Sequence, residues 1–140
     1  MRKVEHSFMK ILFVCTGNTC RSPMAEGIMK VKAEKEKLDI TAESAGLCAF
    51  TGDEVSANAV KAAAFFGADI KEHRARKING YLLEAADIII CMTQSQKNAL
   101  LPFVAESKLI SLDVSDPYGG DEEIYLNCAK EIEKKLCEVI

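Results

Sequence analysis

Apolar residues along this chain fall into two alternating patterns, short unbroken runs and longer stretches with helical spacing. Residues 11–14 and 87–92 are nearly continuous apolar runs, which are typical of parallel strands buried on both faces of a sheet. Residues 39–44 and 108–112 predict two further short strands. Helical spacing and helix-start residues predict five helices, over residues 22–37, 56–67, 79–86, 93–101 and 120–140. Ser56 and Asn79 are the predicted caps of the second and third helices.

Because strands alternate with helices, the pattern predicts a single-domain α/β fold. Its centre is a right-handed, doubly wound sheet of four parallel strands with helices on both faces. A ligand of such a sheet binds beyond the carboxyl ends of the strands. The first eight residues are polar and charged and precede the first strand. We therefore divide the chain into an N-terminal extension, residues 1–8, and one domain, residues 9–140.

The last predicted helix carries apolar residues at intervals of four, which is typical of a helix face packed against a core. They are Ile124, Cys128, Ile132 and Leu136. Because free cysteines often behave as small hydrophobic residues, we interpret Cys128 as part of the core and not as a reactive thiol.

The composition argues against several kinds of partner and site. The 140 residues carry a net charge of −3, without the clustered basic face that binding to nucleic acid or an anionic membrane requires. Apolar runs fall short of the roughly 20 residues that cross a bilayer, so we expect a soluble protein. Six scattered cysteines, with no secretory signal before them, favour the reducing cytoplasm. No cysteines or histidines have zinc-type spacing, so we expect no metal and no cofactor.

The first predicted strand runs directly into residues 15–23, whose sequence is Cys-Thr-Gly-Asn-Thr-Cys-Arg-Ser-Pro. Gly17 permits a tight turn, and Ser22 followed by Pro23 is a typical helix start with Ser22 as the cap. Backbone N–H groups and the positive end of a helix converge in such a loop. The stretch therefore predicts an oxyanion-binding site with Cys15 at its entrance.

Cys15 and Arg21 suggest the chemistry of this loop. A helix N-terminus and a nearby guanidinium both favour the thiolate form of a cysteine, which is a strong nucleophile. Arg21 can hold two phosphoryl oxygens and stabilise the charge that develops in the transition state. The pair predicts phosphoryl transfer through a cysteinyl-phosphate intermediate. The alternative is that Cys15 is only a buried small hydrophobic residue.

Residues 15–23, together with residues 116–120, Asp-Pro-Tyr-Gly-Gly, resemble the low-molecular-weight protein phosphatases. The resemblance covers nearly the whole chain, since residues 44–46, 73–76 and 86–92 also agree with the family in order. It implies the strand order 2-1-3-4, with the cysteine loop at the point where the strand order reverses. It also implies phosphorylated protein substrates, and we expect a cytoplasmic monomer without nucleic-acid or membrane partners.

The resemblance assigns the phosphate-binding groups. Asn18 would be braced by Ser44 and by His73, although the basic cluster around His73 also fits a solvated surface. The phosphoryl oxygens would accept hydrogen bonds from Arg21 and from the main-chain N–H groups of Thr16, Gly17, Asn18, Thr19 and Cys20.

The same resemblance implies roles for three further side chains. Ser22 would donate a hydrogen bond to the Cys15 sulfur, or would serve only as the helix cap. Asp116 would be the general acid and then the base that activates water, although an Asp-Pro pair also fits a plain turn. Cys20, five residues after Cys15, would protect the nucleophile by forming a reversible disulfide with it.

Two departures from the tyrosine phosphatases of this family concern the substrate. Those enzymes usually carry an aliphatic residue in place of Thr19 and two aromatic residues after Asp-Pro, whereas here Tyr118 is followed by Gly119 and Gly120. These residues and Thr93 resemble the bacterial protein-arginine phosphatases, and a polar Thr19 can accommodate a guanidinium. We favour phosphoarginine as the substrate residue, with phosphotyrosine as the alternative.

Two other functions fit the sequence less well. The related arsenate reductases need two further cysteines close together, and Cys91 stands alone in its region. A non-catalytic phosphate-binding or redox-sensing module would need the oxyanion loop only. Asp116 argues against that module, because binding alone requires no proton donor.

Overall fold

The computed structural model describes residues 8–140, so residues 1–7 of the predicted N-terminal extension lie outside the described residues. Residues 8–140 contain four strands, β1 (Met9–Cys15), β2 (Ile40–Gly46), β3 (Ile88–Cys91) and β4 (Leu109–Ser111). The same range contains five α-helices, α1 (Arg21–Glu36), α2 (Ala57–Phe65), α3 (Gly80–Ala85), α4 (Gln94–Leu100) and α5 (Glu122–Val139), and a 3₁₀ helix at Glu106–Lys108. Among these helices, none is long and apolar enough to cross a membrane.

The four strands form one parallel sheet in the order β2-β1-β3-β4. β1 lies between β2 and β3, and its last residue Cys15 pairs with Gly46 while Val14 pairs with Cys91. The strand order reverses between β1 and β3, so the loops after these two strands diverge and leave a crevice at the carboxyl edge of the sheet. The predicted fold class and strand order are confirmed.

Side chains of β1 alternate between two hydrophobic cores, one on each face of the sheet. Ile11 and Phe13 lie in a core that includes residues of α1, α2 and α5. Leu12 and Val14 lie in a second core, which includes residues of α3 and α4. Because both faces of β1 are buried, the strand holds the backbone at its carboxyl end firmly in place.

The start of α1 differs from the prediction. The helix begins at Arg21 with Cys20 as its N-cap residue, so Ser22 lies inside the first turn and Pro23 is the third helical residue. The prediction of Ser22 as the cap is wrong. The physical reason is that the Ser22 hydroxyl contacts the Cys15 sulfur instead of the backbone of its own helix.

Two other predicted caps have different outcomes. Asn79 accepts a hydrogen bond from the Leu82 N–H and caps α3 as predicted. Ser56 is the N-cap residue of α2, but its side chain makes no cap hydrogen bond.

The apolar stripe of α5 is buried except at its first position. Cys128, Ile132 and Leu136 belong to the core, and burial raises the pKa of the Cys128 thiol to about 12. Ile124 is 49% exposed, so its assignment to the core is wrong. The first turn of α5 lies beside the loop that carries Pro117 and not against the sheet, which leaves Ile124 open to solvent.

Candidate active site

The loop between β1 and α1 lies at the carboxyl edge of the sheet and forms one wall of a cleft of about 270 Å³. We call residues 15–22 the phosphate loop. The structure brings nearly all of the predicted chemical residues together in this cleft, because its lining consists of Cys15, Thr16, Gly17, Asn18, Thr19, Cys20, Arg21, Asp116 and Tyr118.

The sharp turn of the phosphate loop depends on Asn18 and on a neighbouring glycine of β2. Asn18 has the left-handed backbone conformation, with φ 57°, whereas the prediction placed the demanding turn at Gly17. A Cβ atom at Gly17 would make only an ordinary contact, 3.7 Å from Thr19 Oγ1. A Cβ atom at Gly46 would lie 2.6 Å from the Thr16 carbonyl oxygen and 3.0 Å from the Asn18 nitrogen. Gly46 is therefore the glycine that lets the loop pack against β2.

Cys15 ends β1 and lines the cleft, but only 3% of the residue is exposed, so its predicted place at the entrance of the site is wrong. Its Sγ atom lies 2.8 Å from Ser22 Oγ and accepts a hydrogen bond from the Asn18 N–H at 3.2 Å. These two contacts, together with the N-terminus of α1, surround the sulfur with groups that favour negative charge.

Asn18 is fully buried and holds the loop to two neighbouring segments, β2 and residues 73–76. Its Oδ1 atom accepts a hydrogen bond from the Arg76 N–H at 2.9 Å, which fixes the orientation of the amide. Its Nδ2 atom donates to Ser44 Oγ at 3.1 Å and to Ser22 Oγ at 2.8 Å. The His73 Nε2 atom lies 3.0 Å from the Asn18 carbonyl oxygen. The structure therefore places both Ser44 and His73 in contact with Asn18.

This amide sets the direction of both serine hydroxyls. Since each oxygen accepts from Asn18 Nδ2, each hydroxyl hydrogen is left to be donated elsewhere. Ser44 donates to Glu26 Oε1 at 2.6 Å. By the same logic Ser22 donates to the Cys15 sulfur, the acceptor 2.8 Å away. The chain of hydrogen bonds thus ends with a donor directed at the candidate nucleophile.

Arg21 is a buried cation at the first position of α1. Its Nη1 atom donates to the Val114 carbonyl oxygen at 2.9 Å, which anchors one edge of the guanidinium. Its Nη2 atom lies 3.8 Å from Asp116 Oδ2. A cation at a helix N-terminus opposes the helix dipole, so its position there suits a site that binds an anion.

Asp116 belongs to the lining of the same cleft and lies on the loop between β4 and α5. Its side chain is 60% exposed, and its Oδ1 atom accepts a hydrogen bond from the Tyr118 N–H at 3.0 Å. This contact is the turn geometry that an Asp-Pro pair favours. The second carboxylate oxygen remains near Arg21, so the turn orients Asp116 towards the site. Tyr118 is the exposed aromatic residue at the cleft.

The far end of the phosphate loop is held by α5. Cys20 Sγ lies 3.2 Å from the Tyr125 hydroxyl and 3.8 Å from Thr19 Oγ1. Burial raises the pKa of the Tyr125 phenol to about 12, so the phenol stays protonated at neutral pH and is available as a donor. The Thr19 carbonyl oxygen accepts a hydrogen bond from the Ser56 N–H at 2.9 Å.

Sequence reasoning missed four polar residues that support this site, Glu26, Arg76, Gln96 and Tyr125. Glu26 accepts a hydrogen bond from Ser44 Oγ at 2.6 Å. Arg76 belongs to the basic cluster around His73, which also fitted a solvated surface, yet its Nε atom donates to the Ser44 carbonyl oxygen at 2.9 Å. Gln96 did carry a signal, because Thr93 and a glutamine three residues later form a capping box. The contact of Gln96 with the phosphate loop spans 80 residues and left no trace in the local pattern.

Comparison with known proteins places this geometry among protein phosphatases. The family model described as low molecular weight phosphotyrosine protein phosphatase matches residues 10–140. A protein-arginine-phosphatase of Bacillus subtilis (strain 168) is 36% identical over an alignment of 140 positions, and this alignment covers 91% of this chain and 92% of that protein.

Two solved structures are similar in both sequence and fold. The low molecular weight protein tyrosine phosphatase from T. tengcongensis has 38% identity and a TM-score of 0.88, covering 93% of this chain and 96% of its own. A mutant of the YwlE arginine phosphatase with a phosphorylated active-site serine has 34% identity and a TM-score of 0.86, covering 91% of each chain.

Proposed function

Because the chain belongs to the low molecular weight phosphotyrosine protein phosphatase family, we propose that it hydrolyses phosphoarginine in proteins through a cysteinyl-phosphate intermediate. The family consists of cysteine-dependent hydrolases, so the chain is a cysteine-dependent protein phosphatase that acts on phosphorylated proteins. The proposal adds the substrate residue, the intermediate and the role of each side chain.

In the first step the Cys15 thiolate attacks the phosphorus atom, an S–P bond forms, and the bond to the leaving group breaks. Arg21 and the loop N–H groups stabilise the charge on the phosphoryl oxygens in the transition state. Asp116 gives its proton to the leaving nitrogen of the guanidine. The presence of Asp116 and Cys15 in the lining of one cleft supports this assignment.

In the second step a water molecule attacks the phosphocysteine and Asp116 takes its proton, so that the S–P bond breaks and phosphate leaves. The sulfur leaves as a thiolate, and the Ser22 hydroxyl stabilises it with the hydrogen bond that Asn18 directs. The related mutant solved with a phosphorylated active-site serine supports a covalent step at this position.

The observation that carries the phosphoarginine proposal is the place of Thr19 in the cleft lining, beside Arg21 and Asp116. Its hydroxyl offers an acceptor to a guanidinium N–H, which an aliphatic side chain does not. The similar protein-arginine-phosphatase of Bacillus subtilis supports the same substrate. Phosphotyrosine is the second candidate, because Tyr118 presents an exposed aromatic ring at the cleft and the similar protein of T. tengcongensis is a tyrosine phosphatase.

The decisive experiment measures kcat/KM for a phosphoarginine protein and for a phosphotyrosine peptide, in the wild type and in Thr19→Ile. We expect the wild type to prefer phosphoarginine, and the variant to shift the ratio towards phosphotyrosine by roughly 10–200-fold. Thr41→Ile is the matched control, because Thr41 is an exposed residue of β2 near the opposite edge of the sheet. An unchanged ratio in Thr19→Ile would return the assignment to phosphotyrosine.

Two further parts of the proposal concern the cellular setting. We place the enzyme in the cytoplasm, a view supported by six cysteines that are all free thiols.

Reversible oxidation that joins Cys15 to Cys20 would protect the nucleophile. Peptide mapping after mild peroxide treatment tests this pairing, and a sulfinic acid on Cys15 without any disulfide would contradict it.

A further inference from the structure

Gln96 is a buried polar residue of α4, 4% exposed, whose side chain makes more hydrogen bonds than a helix cap requires. Its Oε1 atom accepts from the Thr93 N–H at 3.0 Å, which completes the capping box of α4. The same oxygen accepts from the Met92 N–H at 2.9 Å. Its Nε2 atom donates to Thr16 Oγ1 at 3.2 Å. The last two bonds reach beyond the helix start and require another explanation.

The bond to Thr16 connects α4 to the phosphate loop at the residue directly after the nucleophile. Thr16 is exposed in the cleft, so its hydroxyl would be free to rotate without a buried partner. The amide of Gln96 is fixed at its oxygen by two backbone donors, which makes the amide N–H a rigid donor. Thr16 is therefore held from the side of β3, while Gly46 and Asn18 hold the loop from the side of β2.

The bond to Met92 extends this support to the other end of the loop. The Met92 carbonyl oxygen accepts a hydrogen bond from the Val114 N–H at 2.7 Å. The Val114 carbonyl oxygen in turn accepts from Arg21 Nη1 at 2.9 Å. Gln96 thus contacts one end of the phosphate loop directly and is linked to the other end through two backbone segments.

We propose that Gln96 is a positioning residue of the active site, which acts by holding the Thr16 hydroxyl and thereby aligns the N–H groups of the phosphate loop. The inference rests on phosphate binding by this loop and not on the choice between phosphoarginine and phosphotyrosine. Misaligned N–H groups weaken binding of the phosphoryl group before and during the reaction. Loss of the Gln96–Thr16 hydrogen bond should therefore raise KM and weaken phosphate binding more than it lowers kcat.

The test is a double-mutant cycle with Gln96→Met, Thr16→Val and the double variant, assayed with p-nitrophenyl phosphate. Each single variant should lower kcat/KM by about tenfold, the upper range for one lost hydrogen bond. The inhibition constant of inorganic phosphate should rise in parallel. If Gln96 acts through Thr16, the double variant should be no worse than the worse single variant. Multiplied losses in the double variant would overturn the proposal.

Two controls separate positioning from stability. Asn79→Ala removes the cap of the neighbouring helix α3, and we expect a lower melting temperature with kcat/KM within about twofold of the wild type. Thr16→Ser keeps the acceptor for Gln96 and should restore phosphate binding that Thr16→Val loses. Thr16→Val and Thr16→Ser also test the proposal if Gln96→Met does not fold. A Thr16→Val variant that binds phosphate like the wild type would overturn the proposal, while wild-type turnover of p-nitrophenyl phosphate separately establishes the phosphatase activity.

Discussion

The hydrogen bond between Ser22 and the Cys15 sulfur offers a quantitative test of how the site activates its nucleophile. Ser22→Ala removes the hydroxyl that lies 2.8 Å from Sγ and leaves the Asn18 N–H as the remaining contact of the sulfur, at 3.2 Å. Asn18 Nδ2 keeps Ser44 Oγ as an acceptor, so the loop should retain its fold. The change therefore removes one donor to the thiolate with little effect elsewhere.

A hydrogen bond to a charged group contributes about 1.5–3 kcal/mol, which corresponds to roughly 10–150-fold in a rate. The Ser22 bond stabilises the thiolate as the attacking group and again as the leaving group. We therefore expect Ser22→Ala to lower kcat on p-nitrophenyl phosphate by an amount in this range. Alkylation of Cys15 by iodoacetamide at neutral pH should slow as well, because the attacking sulfur loses the hydrogen-bond donor that lies 2.8 Å from it.

Peptide mapping by mass spectrometry assigns the alkylation to Cys15 among the six cysteines. Ser95→Ala is the matched control, since Ser95 is an exposed residue of α4, and it should leave both rates unchanged. Wild-type kcat and wild-type alkylation in Ser22→Ala would refute the reasoning. They would show that the contact holds the helix start in place and does not stabilise the thiolate.

Three further predictions follow from the site and the core. Arg21→Lys should lower kcat/KM by roughly two orders of magnitude, because an ammonium cannot hold two phosphoryl oxygens while bonding Val114; near-normal kinetics would contradict the role of Arg21. Asp116→Asn should slow release of a basic guanidine far more than release of p-nitrophenol, and equal losses on both substrates would assign Asp116 to structure. Burial raises the pKa values of the Cys91 and Cys128 thiols from 9.0 to about 12, so the unfolded chain ionises first as the pH rises. Urea unfolding midpoints should therefore fall as the pH rises from 9.0 to about 12, whereas constant midpoints over that range would contradict this burial.

The sequence predicted the fold and most of the cleft because their signals are local. Apolar runs such as residues 11–14 define strands buried on both faces, and a cysteine at the end of such a strand must lie at the carboxyl edge of the sheet. Asp116 could be assigned to the same cleft only through the family resemblance. Its 3.8 Å distance from Arg21 depends on the packing of β4 and α5, which no local pattern encodes.

The errors and omissions arise where a side chain has a distant partner. Ser22 has the residue type and position of a helix cap, but its hydroxyl is taken by the Cys15 sulfur. Gly17 suggested the tight turn, while the left-handed conformation belongs to Asn18, which its buried amide contacts stabilise. Gln96 was visible only as part of a capping box, since its contact with Thr16 depends on the pairing of β1 with β3. Tertiary contacts override local preference in each case.

Identification of the covalent intermediate tests the central claim most directly. The wild-type enzyme is mixed with a phosphoarginine protein, quenched during turnover, digested and mapped for phosphorylated peptides. The wild type and Asp116→Asn are treated in the same way with p-nitrophenyl phosphate, whose leaving group needs no proton. We predict one phosphoryl group on Cys15 with each substrate, and a higher level in Asp116→Asn than in the wild type with p-nitrophenyl phosphate, because that variant lacks the base that activates water for the second step. Continued turnover with no phosphoryl group on Cys15, or with the label on another residue, would contradict the account.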